Sequence, residues 1–146
     1  MTIVIGTSGS DKIAGTGSND ALVGGAGVDA YYGGAGNDAF VLKLSDFDAG
    51  LNANSGLGAK AQDFIYDFNG AGVYQAGNND FLYLQGFGAG STLSFIGYGQ
   101  NSASPGGDVH AQYYSIHSTI TGLDYVIAIG STNGNQLVLG DYNFYN

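Results

Sequence analysis

An all-β protein, built as a short parallel β-roll capped by a C-terminal antiparallel β-sheet, is the fold class this chain predicts. Three observations predict it. Residues 6–41 divide without a gap into GTSGSDKIA, GTGSNDALV, GGAGVDAYY and GGAGNDAFV, one nine-residue register. Glycine makes up 27 of 146 residues beside a single proline, with no three-residue period, so the glycines serve turns rather than a collagen-like helix. Beyond residue 62, short apolar runs alternate with Gly, Asn, Asp and Ser punctuation, the pattern of strands and turns. A fixed period carrying coordinated chemical constraints marks a solenoid in which each repeat is one structural unit.

The constraints are strict within the four units. Glycine holds the first place (Gly6, Gly15, Gly24, Gly33), aspartate the sixth (Asp11, Asp20, Asp29, Asp38) and a large apolar residue the eighth (Ile13, Leu22, Tyr31, Phe40). The first six residues of each unit read as a turn and the last three as a short strand. Because strand side chains alternate, the eighth place points inward and its neighbours outward. Those neighbours run from Lys12 and Ala14 to Ala39 and Val41, growing apolar, so the last strands are expected to lie under another part of the molecule. Ahead of the repeats, the β-branched run 2–5 predicts a lead-in strand. After them, 42–62 reads as a connecting loop with one helical turn near 45–49, N-capped by Ser45. Strands are predicted at 63–68, 81–84, 92–96, 111–116, 125–129 and 136–139, with a flexible loop at 101–108 and a hairpin turn at 121–124. No linker divides the chain, so 1–146 is expected to be one domain: repeats at 6–41, loop at 42–62, sheet cap at 63–146.

Charge narrows the partners. The 12 acids are all Asp and the 3 bases all Lys, for a net charge of −9. Nucleic acid is excluded as an expected partner, because phosphate recognition needs a basic footprint. Asp in place of Glu suits metal sites in loops, since the short side chain keeps its carboxylate near the turn. With no Cys, neither disulfides nor thiol chemistry is available. The opening MTIVIG lacks a charged n-region, so no cleaved N-terminal signal peptide is expected, and no run is long enough for a transmembrane helix.

Oxygen donors in glycine-rich turns point to Ca²⁺, which takes six to eight oxygen ligands in flexible geometry. Glycine turns can aim several carbonyls at one point; the candidates are Gly6, Gly15, Gly24, Gly25, Ala26, Gly33, Gly34 and Ala35, with charge from Asp11, Asp20, Asp29 and Asp38. With two repeats per coil, Asp11 stacks with Asp29 and Asp20 with Asp38. Zn²⁺ is disfavoured because the repeats hold no His or Cys. Ten repeat glycines cost about 5–10 kcal/mol against alanine; about 2–4 calcium ions are expected, and about three or four sites at about 2.7 kcal/mol each would offset that cost. Folding is therefore expected to be conditional on calcium.

The units resemble the RTX nonapeptide GGxGxDxUx, with U a large apolar residue. Residues 24–32 and 33–41 match it fully; in the first two units Thr7 and Thr16 replace the second glycine, and Ser18 replaces a fourth-place glycine. DFIYDF at 63–68 followed by NDFLYL at 79–84 is similar to the segment after the roll in the C-terminal domains of serralysin-type metalloproteases. That resemblance implies that Asp63 and Asp67 join a calcium site, with Asp80 set apart by the inserted GAGVYQAG. The end of the chain, an acid followed by aromatics (Asp141, Tyr142, Phe144, Tyr145), is similar to an uncleaved type I secretion signal. Together these imply a secreted module handled by type I machinery and folded by calcium outside the cell. They imply no enzyme: HExxH is missing, His110 and His117 read as surface strand residues, and Asp46 and Asp48 sit in no recognisable pocket motif. The alternative is a stand-alone extracellular or surface-layer protein whose clustered tyrosines bind polysaccharide.

Overall fold

The structure, a computed structural model, describes residues 1–47, 62–99 and 111–145. Its strands are β1 (Thr2–Ile5), β2 (Lys12–Ala14), β3 (Asp20–Val23), β4 (Ala30–Tyr32), β5 (Ala39–Lys43), β6 (Asp63–Phe68), β7 (Phe81–Gln85), β8 (Thr92–Gly99), β9 (Ala111–His117), β10 (Asp124–Ser131) and β11 (Tyr142–Tyr145). Strands of the repeat region are brief because each is bounded by a glycine turn on one side and an aspartate on the other. Strands β1 to β7 fall alternately into two sheets, ordered β1-β3-β5-β7-β11 and β2-β4-β6-β10-β9-β8. Two nonapeptides thus make one coil, and like positions pair across coils: Lys12 opposite Ala30, Ala21 opposite Ala39.

The parallel roll does not stop where the repeats do. Strand β6 pairs with β4 (Ala30 opposite Phe64, Tyr31 opposite Ile65), and β7 pairs with β5 in the register of the earlier coils. Antiparallel strands follow: β8, β9 and β10 form a meander that extends the second sheet, since β10 also lies parallel on β6. The β9–β10 turn falls where the sequence places a hairpin, closed by the Ser118 carbonyl accepting from Gly122 N–H at 2.8 Å. The antiparallel cap is therefore continuous with the roll instead of a separate layer laid upon it.

Two local expectations need correcting. Residues 136–139 are not a strand; β11 lies farther on, at Tyr142–Tyr145, parallel to β7. The reason is a tie at Asp141, whose Oδ2 accepts from Val138 N–H and Gly72 N–H, each at 2.8 Å, and holds 138–141 in a turn. The turn after β5 is a single 3-10 turn, Leu44–Asp46, with Lys43 at its N-cap position and no side-chain cap, so Ser45 caps nothing there. The remainder of the expected loop at 42–62, Asp48, His110 and the loop at 101–108 lie outside the described residues, apart from 42–43 within β5, 44–47 and Gln62.

The core is the space between the two sheets. One inward row is Leu22, Phe40 and Leu82; the facing row is Ile13, Tyr31, Ile65 and Ile129, all buried. Tyr31 and Phe40 meet edge to face at 6.0 Å across the gap. Burial of such side chains stabilises by about 1.5–3 kcal/mol each, so the eighth-place rule is the core-forming rule. On the outer side of the second sheet, Phe64, Tyr113, Val126 and Ala128 form a second buried cluster, with Val28, Tyr66 and Ile96 packed against it. The outward residues of the last repeat strands, Ala30, Tyr32, Ala39 and Val41, are only half-buried and lie outside this cluster, so the expected cover is partial; of these, Tyr32 gains a ring above it, stacking on Tyr66 at 4.9 Å.

Candidate metal centre

Turn stacking sets the geometry. The second-place Gly25 and Gly34 take φ of 91° and 90°, and the fourth-place Gly27 and Gly36 take 108° and 114°, a region open to glycine but strained for other residues. Each lies directly on the turn one coil earlier: a Cβ on Gly25 would sit 2.2 Å from the Thr7 carbonyl oxygen, and one on Gly34 2.3 Å from that of Thr16. First-place glycines meet the carboxylates instead. A Cβ on Gly24 would lie 2.3 Å from Asp29 Oδ2, and one on Gly33 2.6 Å from Asp38 Oδ2. The glycines at these places are therefore dictated by contact between backbone oxygens and aspartates of adjacent turns.

The sixth-place aspartates form two ladders, one along each edge of the roll. In the first, Asp11 N–H donates to Asp29 Oδ1 at 2.8 Å and Asp29 N–H to Asp63 Oδ1 at 2.9 Å. In the second, Thr2 N–H donates to Asp20 Oδ1, Asp20 N–H to Asp38 Oδ1 and Asp38 N–H to Asp80 Oδ1, each at 2.9 Å. The pairs Asp11 with Asp29 and Asp20 with Asp38 are brought together as the two-repeat coil requires. Asp63 extends the first ladder. Asp67 does something different: its two oxygens accept the N–H groups of Gly33 and Gly34 at 2.7 and 2.9 Å, clasping the last repeat turn.

Asp80 is the residue that spacing obscured. It is fully buried and occupies the sixth-place position of a further unit, in which residues 69–80 form an enlarged turn before Phe81, Leu82 and Tyr83. Asn79 N–H donates to Asn37 Oδ1 at 2.8 Å, as Asn37 N–H donates to Asn19 Oδ1 at 2.8 Å one coil earlier. The signal was present in the sequence as NGAG at 69–72 and ND at 79–80, parted by residues 73–78.

Burial shapes the electrostatics. It raises Asp29 to about 6, with Asp11 and Asp46 adding repulsion, and Asp38 to about 7, with Asp80, Asp20 and Asp67 adding theirs. Asp63 is pushed up to about 8 by burial and then by Asp29 and Asp46; Asp80 rises to about 6, burial outweighing its donors at Asn69 and Asp38. Burial pulls Asp20 the same way, yet the amide and hydroxyl of Thr16 and the amide of Thr2 together hold it below the usual carboxylate range. A column of buried acids that resist ionisation is what a bound divalent cation would reverse.

Do these residues fit such an ion? Two atoms answer. Asp29 Oδ2 and Asp38 Oδ2 are buried and have no hydrogen-bond partner, in turns lined by backbone carbonyls. An unpaired buried carboxylate oxygen is costly, and a hard cation satisfies it without supplying a proton. Among the described residues no three His, Cys, Asp or Glu side chains gather at one point. Each turn offers one carboxylate beside carbonyls, an all-oxygen donor set suited to Ca²⁺. His117 stands apart, half-exposed and hydrogen-bonded to Asp124 at 2.7 Å. No helix among the described residues is long and apolar enough to cross a membrane.

Comparison with known proteins agrees with this geometry. The family model of the RTX calcium-binding nonapeptide repeat matches residues 5–40 in four copies, so the roll is built on calcium-binding repeats. No curated protein sequence matches the chain.

Proposed function

We propose that this chain, with four RTX calcium-binding repeats at its head, is a secreted module whose folding is switched on by calcium and which supports export by a type I route. One observation carries the reading: the partnerless, buried Oδ2 atoms of Asp29 and Asp38 in the middle of the two ladders. When calcium binds, it supplies positive charge to turns that otherwise bury carboxylates against one another. The glycine-rich turns of the repeats would hold about 2–4 ions, with open carboxylates from Asp29 and Asp38, and Asp63 and Asp67 brace the last turns. Where calcium is scarce the roll stays open and can be threaded; outside, binding free energy becomes folding free energy. The repeats, the loop and the cap then act as one domain, because β6, β7, β10 and β11 continue the sheets the repeats begin.

Far-UV circular dichroism during a calcium titration, with magnesium as control, tests the folding claim. A calcium-specific rise in β-signal is expected; equal structure in metal-free buffer would sink it. Export is tested with a fused reporter. Removing 141–146 is expected to abolish secretion, while Asp29→Asn with Asp38→Asn leaves secretion intact but yields an exported chain that proteases digest. Secretion unaffected by the truncation would overturn the export claim.

A second reading rests on one surface. Tyr31, Tyr113 and Tyr114 belong to the buried interior, which removes half of the clustered tyrosines from any binding face. On the outer face of the first sheet, however, Tyr83 and Tyr145 stack at 4.9 Å beside Phe81. A polysaccharide ring could lie on that platform. Glycan binding lost on Tyr83→Ala with Tyr145→Ala would favour this reading.

A further inference from the structure

The four repeats differ at one atom, the Oδ2 of the sixth-place aspartate. Asp11 Oδ2 accepts from Thr7 N–H at 2.6 Å and from the Thr7 hydroxyl at 2.8 Å; Asp20 Oδ2 accepts the same pair from Thr16 at 2.6 and 2.8 Å. Asp29 Oδ2 and Asp38 Oδ2 accept nothing, although both residues are only 1% exposed. The cause is the residue in second place. Thr7 and Thr16 keep negative φ, and their amides face the carboxylate across the turn. Their hydroxyls close the turn further, accepting from Gly9 N–H at 3.1 Å and Ser18 N–H at 3.2 Å. Gly25 and Gly34 adopt positive φ, and neither amide reaches the aspartate of its own turn; Gly34 N–H goes to Asp67 instead.

An oxygen that already holds an N–H and an O–H donor has positive charge where a cation would sit, and a cation there would face those hydrogens. We infer that calcium is taken up only at the turns of Asp29 and Asp38, and that Thr7 and Thr16 stand in for the ion in the first two repeats. The first coil then serves as an ion-independent end on which the calcium-bearing coil stacks, much as terminal units of solenoids depart from the repeat to cap it. Asp80, the later member of the second ladder, is closed in the same manner by Asn69, whose N–H and side-chain amide donate to its Oδ2 at 2.8 and 3.2 Å.

This inference rests on the calcium reading above and is separable from it. Native mass spectrometry and calorimetry on the whole chain, stripped of metal and titrated with Ca²⁺, are expected to count two ions. Asp11→Asn should leave the count at two. Asp29→Asn and Asp38→Asn should each remove one ion, and Thr7→Gly with Thr16→Gly should raise the count above two. A parent chain binding more than two ions, or an Asp11→Asn chain that loses one, overturns the assignment while leaving calcium binding standing. A parent chain that binds no calcium overturns the calcium reading itself.

Discussion

Gly24 carries two constraints at once. Its N–H donates to the buried Tyr31 hydroxyl at 2.9 Å, and its Cα lies so close to Asp29 Oδ2 that no side chain fits between them. Gly24→Ala is therefore expected to displace Asp29 and to weaken calcium binding at that turn by tenfold or more, read by calorimetry. Tyr31→Phe keeps the ring but leaves the Gly24 amide unpaired, and a loss of about 1–3 kcal/mol in calcium-loaded stability is expected from chemical denaturation. Leu22→Ala removes a fully buried side chain facing the opposite sheet, with an expected loss of about 2–5 kcal/mol. These positions were legible from periodicity alone, since period and alternation dictate which residue faces the core and which the turn. What periodicity did not reveal is that a second-place threonine satisfies the aspartate while a second-place glycine leaves it open.

The turn at 69–80 shows how far an element can depart from its repeat and keep its place. Its ends are pinned by Asp80 N–H donating to the Asn69 carbonyl at 3.0 Å and by the ladder bond from Asp38, so the residues between can lengthen without shifting β7. Asp80→Ala would strip the acceptor from Asp38 N–H, Asn69 N–H and the Asn69 side chain. A loss of about 3 kcal/mol or more is expected in thermal or denaturant unfolding, against about 0.5 kcal/mol for an exposed control such as Ser8→Ala. The strands 63–68 and 81–84 were readable because they repeat the core alternation of the nonapeptides. The strand at 142–145 was not, because its pairing depends on the open edge of β7 and on the Asp141 tie to Gly72 and Val138, contacts distant along the chain.

Across the whole molecule, the raised acids make stability depend on pH. Asp29, Asp38, Asp63 and Asp80 titrate at about 6, 7, 8 and 6 in the fold against 3.8 for the free side chain. Between those limits the folded chain holds more protons than the unfolded one, so metal-free stability falls as pH rises from about 4 towards 8. In metal-free buffer the far-UV β-signal at pH 5 is expected to exceed that at pH 8. With calcium in excess the order should reverse, because cations and protons compete for the same carboxylates. A metal-free β-signal that climbs with pH would contradict the buried-ladder picture.

By itself the sequence determined the architecture of the roll, the inward row, the paired aspartates and the calcium chemistry, because a nine-residue period imposes all four through short-range rules. Tertiary structure decided the rest. It placed Asp67 on the turn of Gly33 and Gly34, restored Asp80 to the ladder across an enlarged turn and set the chain end as a strand on β7. It also separated repeats whose carboxylates are closed by threonine from those left open. Each of these depends on which donor lies within about 3 Å of which oxygen, and that distance is set by stacked coils, not by spacing along the chain.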